Sequence, residues 1–178
     1  HHFNIDLYPK FGSLGVLGQT IKSHGGSGTS NLAYGLAAYE FEKVDSSYRS
    51  SISVQSSLVI HPINEFGSKK QKDKYLPDLI NGKKIGCFGL TESEAGSDPS
   101  SMKTTYRKTK DGYILNGSKN WITNAPIADI LIIWALEENK DHKSIEGFIL
   151  EKNFNGLETS SIENKTSLKI SPTGQIIL

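Results

Sequence analysis

The residues best suited to chemistry lie in two short stretches, and the chemistry they suit is binding rather than bond breaking. The first is Gly86-Cys-Phe-Gly-Leu-Thr-Glu-Ser-Glu-Ala-Gly-Ser-Asp98, an apolar run that opens into small and hydroxyl residues and breaks at Asp98-Pro99. Thr91 and Ser97 offer hydroxyl donors and Gly96 lets backbone approach an anion closely, while Glu92 and Asp98 can fix the turn through local amides. The second is Lys119-Asn-Trp-Ile-Thr-Asn124, where Trp121 is a flat amphipathic wall and Thr123, two residues on, shares its strand face. Hydroxyls on two strands beside a tryptophan suit a large planar heterocycle with a pyrophosphate tail.

Other chemistries find less support. His1, His2, His24, His61 and His142 show no metal-ligand spacing with one another or with Cys87, and none accompanies a nucleophile motif. Cys87 sits in an apolar run and reads as a small buried hydrophobe. As the only cysteine it excludes an internal disulfide, which fits a reducing compartment. The loop His24-Gly-Gly-Ser-Gly28 lacks the Lys-Ser/Thr of a phosphate-binding loop and reads as a connection. A net charge of +1, from 20 basic and 19 acidic side chains, predicts neither a nucleic-acid nor a membrane surface, and no apolar run is long enough to span a bilayer.

The elements that must position these residues fall into two halves. Up to Lys84 the periodicity is helical. A short helix lies between Phe3 and Leu17, and a helix capped by Thr29 or Ser30 carries Leu32, Leu36 and Val44, with packing as its role. A serine-rich helix from Tyr48 to about Pro62 is too hydroxylated and too poor in charge to sit in water, and belongs against something polar. Lys69 to Leu76 forms a helix with a solvated lysine face and no assigned partners, and Pro77 restarts a shorter one. Beyond Lys84, short alternating runs separated by Lys110-Asp-Gly112, Asn116-Gly117 and Asn153-Phe-Asn-Gly156 read as strands and hairpins. The fold class is α+β, a helical segment followed by a mainly antiparallel β-sandwich or barrel. The chain opens at His1-His2 without methionine and stops within the apolar run Gly174-Gln-Ile-Ile-Leu178, so it reads as part of a longer polypeptide.

Leu90-Thr-Glu-Ser-Glu-Ala-Gly-Ser-Asp98 followed by Leu115-Asn-Gly-Ser-Lys-Asn-Trp-Ile-Thr-Asn124 resembles the paired signature of the acyl-CoA dehydrogenases, and the likeness runs from about Gly12 to Gly174. The resemblance implies that residues 1–84 are part of the family's N-terminal helical domain and residues 85–178 its middle β domain, incomplete at its end, without the family's C-terminal helical bundle. It implies FAD as cofactor, with Phe88, Gly89, Leu90 and Thr91 lining the flavin, Gly96 and Ser97 near its phosphates or the thioester, and Trp121, Ile122 and Thr123 against the ring. Two departures are Ser93 in place of the usual proline, which loosens the turn slightly, and Pro172 in place of a small residue.

The serine-rich helix, Asp45-Ser-Ser-Tyr-Arg-Ser-Ser-Ile-Ser-Val-Gln-Ser-Ser-Leu58, is most similar to that of the glutaryl-CoA dehydrogenases within this family. There the positions matching Arg49, Ser50 and Ser53 hold the distal carboxylate of the substrate, and a guanidinium fork helped by hydroxyls suits a charge brought into an apolar cleft. The alternative for Arg49 is a bridge between helices through a carboxylate such as Asp45. The resemblance further implies oxidation and decarboxylation of glutaryl-CoA to crotonyl-CoA and carbon dioxide, in lysine and tryptophan degradation. Electrons would pass to an electron-transfer flavoprotein, the full-length form would be a homotetramer, and the compartment would be a bacterial cytoplasm or a mitochondrial matrix. The family's catalytic glutamate belongs to the C-terminal helical domain, so no catalytic residue is expected in these 178 residues, and the isolated chain is expected to be inactive.

Overall fold

The computed structural model describes residues 2–138 and 144–178; His1 and His142 lie outside them. The helical half begins with α1 (Leu7–Ser13), α2 (Asn31–Val44) and α3 (Ser46–Ser53). The Ser30 hydroxyl accepts the Ala33 N–H at 3.2 Å and starts α2 as expected. Asp45 then does double duty, ending α2 and accepting the Ser47 N–H at 2.6 Å to cap α3.

From α3 the chain continues without a break through a π-helical segment, Val54–Ile60, into α4 (His61–Phe66). Periodicity anticipated the continuous path but not its wider winding, which buries Gln55, Ser56, Val59 and Ile60 together. Gln55 explains the need: its amide donates to the carbonyls of Leu79 and Lys84, both at 2.9 Å, and its oxygen accepts the Gly86 N–H at 2.7 Å. Ser47, Ser51 and Ser56 are buried as well, so the hydroxylated helix does sit against polar groups.

Three expectations for the helices need correction. The last helix, α5 (Lys69–Ile80), runs straight through Pro77, because Tyr75, Leu76, Leu79 and Ile80 are all buried and that packing outweighs one missing N–H. Its lysines are not all partnerless either, since Lys74 pairs with Glu151, which also accepts the Tyr75 hydroxyl at 3.0 Å. Packing, the role expected of α2, is met only at Phe41, whose ring meets Phe11 edge-on at 5.5 Å. No residue of α2 is buried, and Leu32, Leu36, Tyr39 and Val44 face outward.

The β half comprises β1 (Gly86–Gly89), β2 (Thr105–Lys108), β3 (Tyr113–Asn116), β4 (Ser118–Thr123), β5 (Ile130–Glu137), β6 (Ile145–Glu151), β7 (Glu158–Ser161) and β8 (Thr173–Ile177). One sheet has the order β1-β5-β2-β3 with β6 on β5, and the other the order β4-β8-β7. Most pairings are antiparallel, but β1 and β2 both run parallel to β5, since each reaches it through a long crossover rather than a hairpin. The architecture is therefore α+β with mixed sheets, and the described strands do not close into a barrel.

Period-two alternation on β5 organises the core. Leu131 and Ile133 face the second sheet and meet Cys87, Ile122 and Ile176, while Ile130 and Ile132 face the helices and meet Val59, Ile60, Leu76 and Ile85. Gly86 marks the close approach of helix to sheet, where an added Cβ would lie 2.5 Å from a Val59 methyl. No described helix is long and apolar enough to cross a membrane.

Candidate functional site

β1 carries the first motif to the edge of the core. Cys87 is fully buried, and burial raises its thiol pKa, in keeping with an inert packing residue. Phe88 faces the opposite way, half-buried against Trp134 with ring centroids 5.9 Å apart. Gly89 lets the core close over the strand, since a Cβ there would lie 2.6 Å from the terminal methyl of Ile133. Leu90 and Thr91 then emerge half-buried, and a turn follows in which Glu92 and Ala95 exchange backbone hydrogen bonds of 3.0 and 3.3 Å. Gly96 and Ser97 are exposed beyond it, and nothing lies within 4 Å of the position a Gly96 Cβ would take. Asp98 fixes the end of the loop by accepting the Ser100 N–H at 3.1 Å.

The second motif lies alongside. The Asn120 N–H donates to the Thr91 carbonyl at 2.9 Å and its side-chain amide to the Ser93 hydroxyl at 3.2 Å, so the two motifs, distant in sequence, share an edge. Pairing of β4 with β8 shifts between Lys119 and Ile122, and Trp121 adopts a left-handed φ of 60°. In a regular strand Lys119 and Trp121 would face the same way; the bulge separates them. Lys119 and Ile122 turn inward at 1% and 3% exposure, whereas the Trp121 indole is 59% exposed. Thr123 follows, half-buried. The Ile122 side chain packs with Cys87 in the core, so it is the Ile122 backbone that is left to meet a ligand ring.

Between the motifs lies an ion pair that spacing alone does not reveal. The Lys119 ammonium donates to Glu92 at 2.8 Å and to the Leu90 carbonyl at 3.2 Å, and Glu92 also accepts the N–H groups of Lys103 and Thr104 at 2.7 and 3.0 Å. Burial by itself would raise the Glu92 pKa, but these hydrogen bonds prevail and hold it at about 2. Burial lowers the Lys119 pKa, with Glu92 opposing. The result is a rigid seam beneath a surface with an open indole. Among the described residues the hydroxyls of Thr91, Ser97 and Thr123 have no hydrogen-bond partner.

Arg49, Ser50 and Ser53 lie apart from this seam in the helical half. The Arg49 Nε donates to Glu42 at 2.6 Å, bridging α3 to α2, so the bridging carboxylate is Glu42 while Asp45 serves as the cap. That pairing holds the Glu42 carboxyl below its ordinary pKa, with the Ser46 hydroxyl assisting. Arg49 lines a cleft of about 610 Å³ with Glu42, Asp45, Ser46, Ser47 and residues 166–170; Ser50 and Ser53 do not line it. Both serines are half-buried, with hydroxyls that have no partner among the described residues.

The N-terminal domain model of the acyl-CoA dehydrogenases matches residues 1–83 and the middle-domain model residues 87–178. The chain belongs to the acyl-CoA dehydrogenase family. Among acyl-CoA dehydrogenases of known structure, a glutaryl-CoA dehydrogenase from Mycobacterium smegmatis in complex with FADH2 is 41% identical, with a TM-score of 0.95 over 99% of this chain and 45% of that one. Butyryl-CoA dehydrogenase from Megasphaera elsdenii is 38% identical, with a TM-score of 0.91 over 99% of this chain and 48% of that one. A short-chain specific acyl-CoA dehydrogenase of Clostridium acetobutylicum is 37% identical over 98% of this chain and 47% of its own length. The chain therefore spans about half the length of the family members it matches.

Proposed function

We propose that this chain forms one wall of the FAD site of an acyl-CoA dehydrogenase that takes glutaryl-CoA. The observation that carries the reading is the seam from Asn120 to Thr91, which joins the strand bearing an exposed indole to Thr91, whose hydroxyl has no partner among the described residues. These residues fit FAD: Trp121 offers a face to the ring system, Thr91 and Thr123 offer donors to its polar edge, and the open backbone at Gly96 and Ser97 suits a phosphate or the thioester. Phe88, Gly89 and Leu90 hold that wall at its base. FAD, when bound, supplies the hydride acceptor.

In this reading residues 1–84 act as the helical unit and 85–178 as the β unit. Arg49, Ser50 and Ser53 hold the distal carboxylate of the substrate. Glu42 occupies only the Nε edge of Arg49, and the Nη groups make no hydrogen bond among the described residues, so a bidentate fork is available. Loss of the α-proton to a carboxylate base and of hydride from the β-carbon, then release of carbon dioxide and protonation of the γ-carbon that keeps its electron pair, gives crotonyl-CoA, and the two electrons of the hydride leave to an electron-transfer flavoprotein. The role of base is assigned to no residue of this chain, so the isolated chain binds FAD and thioester without oxidising it. A homotetramer in the bacterial cytoplasm or mitochondrial matrix completes the reading.

The purified chain, mixed with FAD and desalted, should retain flavin absorbance; a folded, colourless protein would sink the FAD reading and leave a non-catalytic packing role. Thioester binding is then read from perturbation of the flavin spectrum. Arg49→Ala should weaken glutaryl-CoA by about 10- to 100-fold, as expected for loss of charged hydrogen bonds, and leave butyryl-CoA unchanged. Equal loss for both, or none, favours the second reading of a straight-chain acyl substrate, for which the existing Glu42–Arg49 pair and the short-chain relative speak. Turnover of glutaryl-CoA by the isolated chain would overturn the absent base.

A further inference from the structure

Asn124 closes β4 immediately after the wall residue Thr123. It is fully buried and left-handed at φ 69°, a conformation that asparagine tolerates better than other residues with side chains except aspartate and histidine. Its backbone N–H donates to the Pro172 carbonyl at 2.6 Å. Its side-chain amide donates to the Tyr8 hydroxyl at 3.0 Å and to the Gly86 carbonyl at 3.1 Å, and its oxygen accepts the Ser51 hydroxyl at 2.9 Å. Both amide hydrogens are thus used, and one residue joins α1, α3, β1 and the segment before β8. Tyr8 is itself 1% exposed, with a phenol that burial keeps protonated, so it cannot trade this partner for water.

Among the described residues, no other side-chain hydrogen bond links the helical half to β4 or to the residue that ends it. Ser51 lies between Ser50 and Ser53 on α3, and the Asn124 backbone continues directly from Thr123 and Trp121. We propose that Asn124 is a positioning residue that couples the FAD-facing strand to the helix carrying Arg49, Ser50 and Ser53, so that ordering one orders the other. This rests on the FAD reading above. Energetic coupling of this kind is reciprocal: a ligand that stiffens β4 must suppress local opening of α3 by the same free energy with which an ordered α3 favours the ligand.

Hydrogen exchange of α3 amides, with and without saturating FAD, tests it. In the unaltered protein FAD should slow exchange of residues 46–53 by about fivefold or more, at the lower edge of typical coupling. Asn124→Gly keeps the left-handed backbone but deletes the three side-chain hydrogen bonds; at saturating FAD it should still bind flavin while losing that protection. If Asn124→Gly does not fold, Ser51→Ala and Tyr8→Phe each remove one bond and should each reduce the protection. A purely structural role would lower the melting temperature in these variants yet leave FAD-dependent protection of α3 intact, and that result overturns the proposal, as does absence of protection in the unaltered protein. Failure of the FAD reading is separate, showing in the first titration of unaltered protein, before any variant is made.

Discussion

At the scale of single residues, the pair Glu92–Lys119 controls how firmly the wall is built. Removing one partner of a buried ion pair leaves the other charge without compensation, so Lys119→Met should destabilise the protein by about 3–5 kcal/mol, measured by chemical denaturation. Combining it with Glu92→Gln should recover part of the loss; a double variant as unstable as the sum of the singles would show that the pair is not coupled. The acid response follows from the same site. The Glu92 pKa falls from 4.5 in the unfolded chain to about 2 in the fold, so its stabilisation is complete above about pH 4.5 and is lost as pH falls towards 2. Lys119 stays protonated in both states throughout that window and adds no slope. The melting temperature should therefore drop between pH 4.5 and 2 more steeply in the unaltered protein than in Glu92→Gln.

At the scale of elements, the π-helical segment between α3 and α4 and the bulge in β4 carry the geometry. Gln55 is the stitch that makes the first worthwhile, since its amide satisfies groups at the end of α5, in the following turn and at the start of β1. Gln55→Leu fills similar space but strands the Lys84 carbonyl and the Gly86 N–H, while the Leu79 carbonyl still accepts the Gly82 N–H at 3.3 Å, and should cost about 2–3 kcal/mol by denaturant unfolding. A cost under 1 kcal/mol would mean that water replaces the amide. Neither device shows in hydropathy. Alternation predicts strand β4 correctly, yet the register shift depends on pairing with β8, and the wider winding depends on groups in α5 and β1. Pro77 illustrates the same limit from the other side, because local propensity predicts a break that burial of four neighbours overrides.

At the scale of the whole molecule, the two halves meet across β5, whose opposite faces serve the helical core and the second sheet. The helix α2 contributes little to that union. Leu32 and Leu36, at 73% and 59% exposure, should tolerate change to serine with a stability shift within about 0.5 kcal/mol, and a larger loss would show that α2 is buried in solution.

Much was legible in the sequence. The change from helical to alternating periodicity near Lys84, a cap at Thr29 or Ser30 and the buried Cys87 all follow from local residue type and spacing. Tertiary structure decided what depends on distant partners: that Trp121 faces out while Ile122 packs inward, that Arg49 pairs with Glu42, and that Lys119 and Asn124 pin the two ends of the wall. Local chemistry is written in neighbours along the chain. A buried polar bond to a residue 27 or 73 positions away is favourable only once folding has excluded water from both ends.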